Sequence, residues 1–349
     1  MLSRTFRAPI PEGAVSSGLT IETVDYHTAG EPFRIVTGGV ELPQGATILE
    51  RRADAAARLD HVRQLLVNEP RGHADMYGGF VVPPNDESAD LGVVFFHNAG
   101  YSTACGHGTI ALVTWALQEG VLEGVEPETR VVVDVPSGRL HSVASVRGQR
   151  VHSVRFRNVP AFVAAERLMV ATSAGEARCD VSFGGAFYAF VEAAALGLTV
   201  SREDMPLLIR LGREIKHGLE RAHEFIHPLE PALRDIYGVI FLEQLAESPT
   251  LSQQNVTVFA DGEVDRSPCG SGTSARLALL YAGGQLSQRE FLASRSIINT
   301  EFRGQVIEET RVAGYDAVVT EIEGSAHRTG QHRFMLDADD PIGAGFQLR

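Results

Sequence analysis

One pattern occurs twice in this chain. Cys105-Gly106-His107-Gly108-Thr109 and Cys269-Gly270-Ser271-Gly272-Thr273 share Cys-Gly-x-Gly-Thr, and each opens a short apolar stretch that reaches a glycine, Gly120 or Gly284, fifteen positions beyond its cysteine. The match covers a whole loop-helix unit, so the sequence predicts two lobes built alike, each with a cysteine at the head of a helix. A chain of 349 residues suits that reading, because the usual domain sizes suggest two lobes of roughly 150 residues each. Two lobes imply a cleft between them.

The rest of the chain reads mainly as strand. Leu19–Tyr26 alternates apolar and polar residues, ends at the turn-rich His27-Thr28-Ala29-Gly30-Glu31-Pro32, and gives way to a second strand near Phe33. Gly79–Val82 and Leu91–His97 read as paired strands around the turn Pro83-Pro84-Asn85-Asp86. Val131–Phe162 holds three β-rich runs broken at Pro136-Ser137-Gly138 and Arg147-Gly148-Gln149, the pattern of an antiparallel meander. In this half only Thr109–Leu117 reads as a helix. In the second half Ser201, with Asp204 three residues on, is the expected N-cap of an amphipathic helix bearing Leu208, Leu211, Ile215, Leu219 and Ala222. A further short helix is expected over Ser274–Ala282. These elements divide the chain into a flexible tail over 1–18, an N-terminal lobe over 19–163 and a C-terminal lobe over 164–325, with strands over 326–349 returning to the first lobe.

Composition removes several function classes. A net charge of -13 leaves no general basic field for nucleic acid. No apolar run approaches the roughly 18 residues of a membrane span, and Pro9, Pro11 and Gly13 interrupt the place where a signal peptide would need its apolar core. Three cysteines make no disulfide framework and point to a reducing, cytoplasmic setting with free thiols. A small-molecule partner is the expectation.

A cysteine on a glycine-rich turn at a helix N-terminus sits beside backbone N–H groups that have no intrahelical partner. That setting lowers a thiol pKa, and the same N–H groups can hold a carboxylate that glycines allow to approach closely. Two such sites facing one another would grip an amino acid and put one sulfur on each face of its α-carbon. The plainer reading of a free cysteine is a small buried hydrophobe, and it suits Cys179, which lacks any glycine-rich context. The duplicated surroundings of Cys105 and Cys269 argue against it there. Cys105 and His107 lie too close for the usual zinc-ligand spacing and no second Cys/His cluster accompanies them. Neither motif ends in the Gly-Lys-Ser/Thr of a phosphate loop. A cysteine hydrolase with His107, His97 or His27 as base stays open, although it leaves the second motif unexplained.

The two motifs, the second extended to Asp265-Arg266-Ser267-Pro268-Cys269-Gly270-Ser271-Gly272-Thr273-Ser274-Ala275, closely resemble the active-site motifs of the proline racemase family. That family also holds hydroxyproline 2-epimerases and trans-3-hydroxy-L-proline dehydratases. The resemblance extends to His27–Pro32, Asn68-Glu69-Pro70-Arg71-Gly72 and Gly184-Gly185-Ala186-Phe187-Tyr188, and so covers nearly everything after the tail. It implies an α/β (α+β) fold of two pseudo-symmetric lobes, each a curled, mostly antiparallel sheet around a central helix, as in diaminopimelate epimerase. It implies a cofactor-independent enzyme that needs no metal, with proline or a hydroxyproline as substrate; a homodimer is compatible with it. By the same resemblance Cys105 and Cys269 are proton acceptor and donor, Gly106, His107, Gly270 and Ser271 contact the substrate carboxylate or amine, and Asp265 binds the ring nitrogen.

Within the family, two cysteines accompany racemases and epimerases, whereas dehydratases of the human type carry threonine at the second position. This chain has both cysteines. Yet His73-Ala74-Asp75-Met76-Tyr77-Gly78, His97-Asn98-Ala99-Gly100-Tyr101-Ser102 and Asn255-Val256-Thr257-Val258-Phe259-Ala260-Asp261 look more like the dehydratase branch. Loss of water needs one base for the α-proton, while inversion needs a group on each face, so the second cysteine favours racemisation or 2-epimerisation. Dehydration to pyrroline-2-carboxylate and non-catalytic binding of imino acids are the alternatives.

Overall fold

The computed structural model describes residues 19–148, 150–245 and 251–348. The tail expected over 1–18 lies outside the described residues, as does Gln149 of the second meander turn. The first half of the chain forms β1 (Thr20–Thr28), β2 (Glu31–Gly38), α1 (Ile48–Arg58), α2 (Asp60–Val67), β3 (Tyr77–Val82), β4 (Leu91–His97), β5 (Gly100–Tyr101), α3 (Gly106–Gln118), β6 (Glu128–Val135), β7 (Gly138–Arg147) and β8 (Arg150–Arg157). The second half forms β9 (Ala161–Thr172), β10 (Gly175–Phe183), β11 (Phe187–Glu192), α4 (Met205–Ala222), β12 (Ile236–Gln244), β13 (Leu251–Phe259), β14 (Glu263–Asp265), α5 (Gly270–Ala282), β15 (Phe291–Ser296), β16 (Glu301–Val312) and β17 (Tyr315–Gly324), before β18 (Ala326–Met335).

The strand ladders make the internal duplication explicit. In the first lobe the order is β18-β1-β2-β3-β4-β6-β7-β8, with β2–β3 and β4–β6 parallel and the rest antiparallel. In the second it is β9-β10-β11-β12-β13-β15-β16-β17, with β11–β12 and β13–β15 parallel at the matching places. The short strands correspond too: β5 pairs with β4, and β14 pairs with β13. β17 closes the second lobe onto β9 and its far end pairs with β8 of the first, so the two curled sheets are continuous. The chain passes from β8 to β9 over residues 158–160 and from β17 to β18 at Ser325, after which β18 pairs with β1.

Each sheet wraps one central helix. From Gly106 to Ala116 every residue of α3 is buried, and α5 is buried over most of Gly270–Leu280, as expected of helices apolar on all sides. Both finish on a left-handed glycine, Gly120 (φ 71) and Gly284 (φ 67), the conformation that caps a helix without Cβ strain. α4 buries Leu208, Leu211, Ile215 and Leu219 on one face.

Three expectations about helices need correction. α1 and α2 make the first half richer in helix than its apolar spacing predicts. The buried face of α1 consists of Ile48, Arg51 and Ala55, so arginine stem and alanine stand where periodicity looks for large hydrophobes. Its start is nevertheless legible: Thr47 and Glu50 form a reciprocal capping box. Asp204 stands at the N-cap position of α4, three residues later than expected; its side chain makes no cap bond, while Ser201 Oγ accepts the Asp204 N–H at 3.3 Å. α5 begins at Gly270 rather than Ser274, and α3 at Gly106 rather than Thr109, because the first turn of each is the glycine-rich motif itself.

Candidate active site

The N-termini of α3 and α5 meet head to head. A Cβ placed on Gly106 would lie 2.6 Å from Gly270 Cα, and one placed on Gly270 would lie 2.8 Å from Gly106 Cα. Only residues without a Cβ allow this approach. Cys105 and Cys269 are the N-cap residues of the two helices, and both line one small pocket. Gly106, His107, Asp265, Gly270 and Ser271 line it with them, so every site residue expected from sequence comes together. Cys179 lies elsewhere, in β10, buried among apolar neighbours.

The two caps are related but not identical. Cys105 is extended (φ -154), and its Sγ accepts the Gly108 N–H at 3.2 Å. Cys269 has φ +64, a conformation that costs a non-glycine residue on the order of 1–3 kcal/mol and survives only where the surroundings over-determine it. Here they do. Asp265 Oδ1 accepts the Ser267 N–H at 2.7 Å, Ser267 Oγ accepts the Cys269 N–H at 3.1 Å, and the Pro268 carbonyl accepts from Asn255 Nδ2 and Thr273 Oγ1, each at 3.2 Å. The strained turn aims Sγ toward Tyr188, whose hydroxyl lies 3.8 Å from it and 2.7 Å from Ser271 Oγ.

Electrostatics overturn one expectation. Helix N-termini alone would lower the thiol pKa values, but burial, reinforced by Asp265, pushes Cys269 up to about 12. Cys105 is also driven well above the ordinary thiol value, first by burial and then by the charges of Asp265, Cys269 and Glu31, against the opposing Gly108 amide. One or two N–H dipoles do not offset the loss of water around a sulfur that is 5% exposed. Burial likewise raises Asp265 to about 6, despite hydrogen bonds from Ser267 and Cys269. His107, whose ring nitrogens both lie 3.5 Å from Cys105 Sγ, is pushed down to about 3 by burial and then by Arg266, so it is neutral at physiological pH. The pocket therefore favours two protonated thiols beside a carboxylate. Among the described residues no arginine or lysine lines it, and the positive charge that reaches it is that of Arg266.

Several lining residues carried no individual sequence signal. Tyr77, Tyr188, Thr257 and Phe259 fall inside motifs quoted for the resemblance without a role of their own, and Tyr237 falls in none. Tyr77 Oη bonds both Ser102 Oγ and, across the lobes, Tyr237 Oη at 3.0 Å, while the Tyr77 ring meets His107 edge-on at 4.8 Å. On another side Arg266 spans the lobes: its N–H and Nη1 reach Glu31 Oε2 at 2.7 and 3.3 Å, and its guanidinium also holds the Asp75 and Ala74 carbonyls. Among the described residues no three His, Cys, Asp or Glu side chains cluster so as to hold a metal ion, and no helix is long and apolar enough to cross a membrane.

Two duplicated lobes with an enclosed pair of N-cap cysteines between them define a recognisable class of enzyme scaffold. The chain belongs to the proline racemase family, whose model it matches over residues 23–347. It is 44% identical to a trans-3-hydroxy-L-proline dehydratase of Bacillus cereus, covering 93% of this chain and 97% of that protein. It is also 44% identical to a 3-hydroxyproline 2-epimerase of Burkholderia multivorans, covering 95% of this chain and 98% of that one. Among solved structures, a hydroxyproline epimerase from Agrobacterium vitis with bound trans-4-hydroxy-L-proline superposes with a TM-score of 0.88 at 33% identity, covering 95% and 96% of the two chains. A phenazine-biosynthesis PhzF-family protein of Bacillus anthracis, at 13% identity and TM-score 0.55, shares the fold.

Proposed function

We propose that the protein inverts the α-carbon of a hydroxyproline, 3-hydroxyproline foremost, by two-thiol proton transfer without a cofactor. The observation that carries this reading is the second thiol: Cys269 occupies in α5 the N-cap position that Cys105 occupies in α3, and both line one pocket. The substrate carboxylate takes the free N–H groups around Gly106, Gly270 and Ser271. Its cationic ring nitrogen takes Asp265, and that positive charge favours loss of one thiol's proton to solvent, which leaves the thiolate. That thiolate accepts the α-proton as the Cα–H bond breaks. The opposite thiol then donates its proton to the other face and is left as the thiolate, so the pair exchanges roles and nothing is consumed.

A second reading is dehydration of trans-3-hydroxy-L-proline, favoured by the name of the Bacillus cereus relative. It begins with the same proton abstraction; the C3–O bond then breaks and hydroxide leaves as water with one proton.

The deciding experiment is NMR of proline, trans-4-hydroxyproline and trans-3-hydroxyproline with the protein in D₂O. Inversion at C2 with deuterium entering the product is expected, and Cys269→Ser should abolish it while Cys105 still exchanges the α-hydrogen of one stereoisomer. Conversion of trans-3-hydroxyproline to pyrroline-2-carboxylate with no inversion of any substrate would replace epimerisation by the second reading. A protein that binds pyrrole-2-carboxylate, a planar mimic of the carbanion, yet exchanges no α-hydrogen would be a binder only.

A further inference from the structure

The Tyr77–Tyr237 pair stands between two cavities. Inside is the cysteine pocket. Outside is a larger cavity lined by residues of both lobes. Tyr237 lines both, and Ser102, which meets the Tyr77 hydroxyl, lines the outer one.

The charged groups facing this outer cavity are Arg52, Lys216 and Arg234, with Glu220 and Asp235. Arg234 pairs with Asp235 at 3.4 Å, and Lys216 Nζ donates to the Ala260 carbonyl at 2.9 Å. Arg52 is different. Its Nη2 donates to the Tyr101 carbonyl at 2.7 Å, but its Nε is buried and has no hydrogen-bond partner among the described residues. The guanidinium also lies within electrostatic reach of both Tyr77 and Tyr237. A buried, unsatisfied guanidinium donor is costly unless something relieves it, and a carboxylate is the group whose geometry matches it.

The inner pocket is closed, with each thiol only 5% exposed, so a substrate must displace part of its wall. On the Arg266 side that wall is held by ion pairs and several hydrogen bonds to Glu31, Asp75 and Ala74. On the tyrosine side the lobes meet through the Tyr77 and Tyr237 hydroxyls at 3.0 Å, through Thr103 Oγ1, which donates to the Gly185 carbonyl at 2.9 Å, and where His97 Nδ1 lies 3.8 Å from Glu263 Oε1. Burial lowers the His97 pKa, so this side joins the lobes without a full ion pair. Charge-assisted bonds are the stronger kind, which makes the tyrosine side the weaker of the two.

We propose that the outer cavity is a second binding site, an anion-docking vestibule in which Arg52 holds the carboxylate of an incoming amino acid before the Tyr77–Tyr237 pair parts to admit it to the thiols. The proposal rests on the inner pocket being the site of chemistry, but its test uses no turnover.

The test compares alkylation of Cys105 and Cys269 by iodoacetate, an anion, and iodoacetamide, its neutral analogue, followed by mass spectrometry at pH 9. The ratio of the two rates should fall about fivefold or more in Arg52→Gln, the scale of one partly screened charge, and Arg52→Lys should restore it. Tyr237→Phe should raise both rates and leave their ratio unchanged. In the wild type, salt should slow iodoacetate and not iodoacetamide, a comparison that stands even where Arg52→Gln fails to fold. Equal ratios in wild type and Arg52→Gln, an iodoacetate rate indifferent to salt, or thiols that neither reagent reaches over hours would each overturn the vestibule. Loss of all epimerase and dehydratase activity with the charge preference intact would overturn only the proposed reaction.

Discussion

Asp265 is an acid kept where its charge is disfavoured, and its pH behaviour follows. Burial raises it from 3.8 in the unfolded chain to about 6 in the fold. Between those values the folded state holds the proton more tightly, so the group's contribution to stability is most favourable below pH 4. That contribution falls as pH rises through the window and stays low above it. The displacement corresponds to on the order of 3 kcal/mol. Asp265→Asn should therefore melt higher than wild type at pH 7.5, with the gain disappearing by pH 4, because an amide oxygen can still accept the Ser267 N–H. The same variant should lose protection of its thiols by pyrrole-2-carboxylate if the carboxylate receives the ring nitrogen. Melting curves over pH 4–8 check the first part; equal melting temperatures throughout would mean that Asp265 is not strained by burial.

At the scale of elements, the contact that matters is the abutment of α3 and α5. A methyl group on Gly106 meets the backbone of Gly270, which cannot rotate away as a flexible side chain would. Gly106→Ala should destabilise the protein by roughly 1–3 kcal/mol, the usual cost of overpacking, and should separate the helix heads enough to abolish proton transfer. Gly124→Ala is the control: its Cβ would have only Leu117 Cδ2 nearby, at an ordinary 3.8 Å, and it should change stability by less than about 0.5 kcal/mol. Thermal melts of both variants decide it. Wild-type stability in Gly106→Ala would mean that the helices can separate at no cost. The unforeseen helix α1 belongs to this scale as well, since it carries Arg52 to the outer cavity and fastens it to the Tyr101 carbonyl.

Across the whole molecule, the lobes are joined by the β8–β17 ladder and by side chains that bridge the cleft. Arg266 is the most connected of these bridges, and its partner Glu31 is fully buried, with Oε1 unpartnered and its pKa raised by burial and by Asp265. Deleting one member of such a pair leaves the other desolvated and alone. Arg266→Met should therefore cost roughly 3 kcal/mol and should speed alkylation of both cysteines by iodoacetamide, because the lobes open more readily. Faster alkylation without loss of stability would mean that Arg266 governs access alone. Loss of stability with unchanged alkylation would mean that the lobes do not part on that side.

The duplicated motif was legible because its chemistry is local. A cysteine before Gly-x-Gly-Thr and an apolar run stands at a helix N-cap in both places where it occurs here, and two copies announce two lobes. The strands of β3, β4 and the β6–β8 meander were legible for the same reason, through short-range alternation and turn residues. Other features depend on residues far apart in sequence. The first turn of α5 reads as loop until Gly106 packs against Gly270, and α1 reads as polar until the stem of Arg51 is buried. Tyr237 has no motif around it; only the closing of the two lobes on one another sets its hydroxyl against Tyr77. The direction of the thiol pKa shifts belongs here too. Sequence alone places each sulfur at the favourable end of a helix dipole, but whether that dipole prevails depends on how much water and how many carboxylates surround it, and closure of the two lobes decides both.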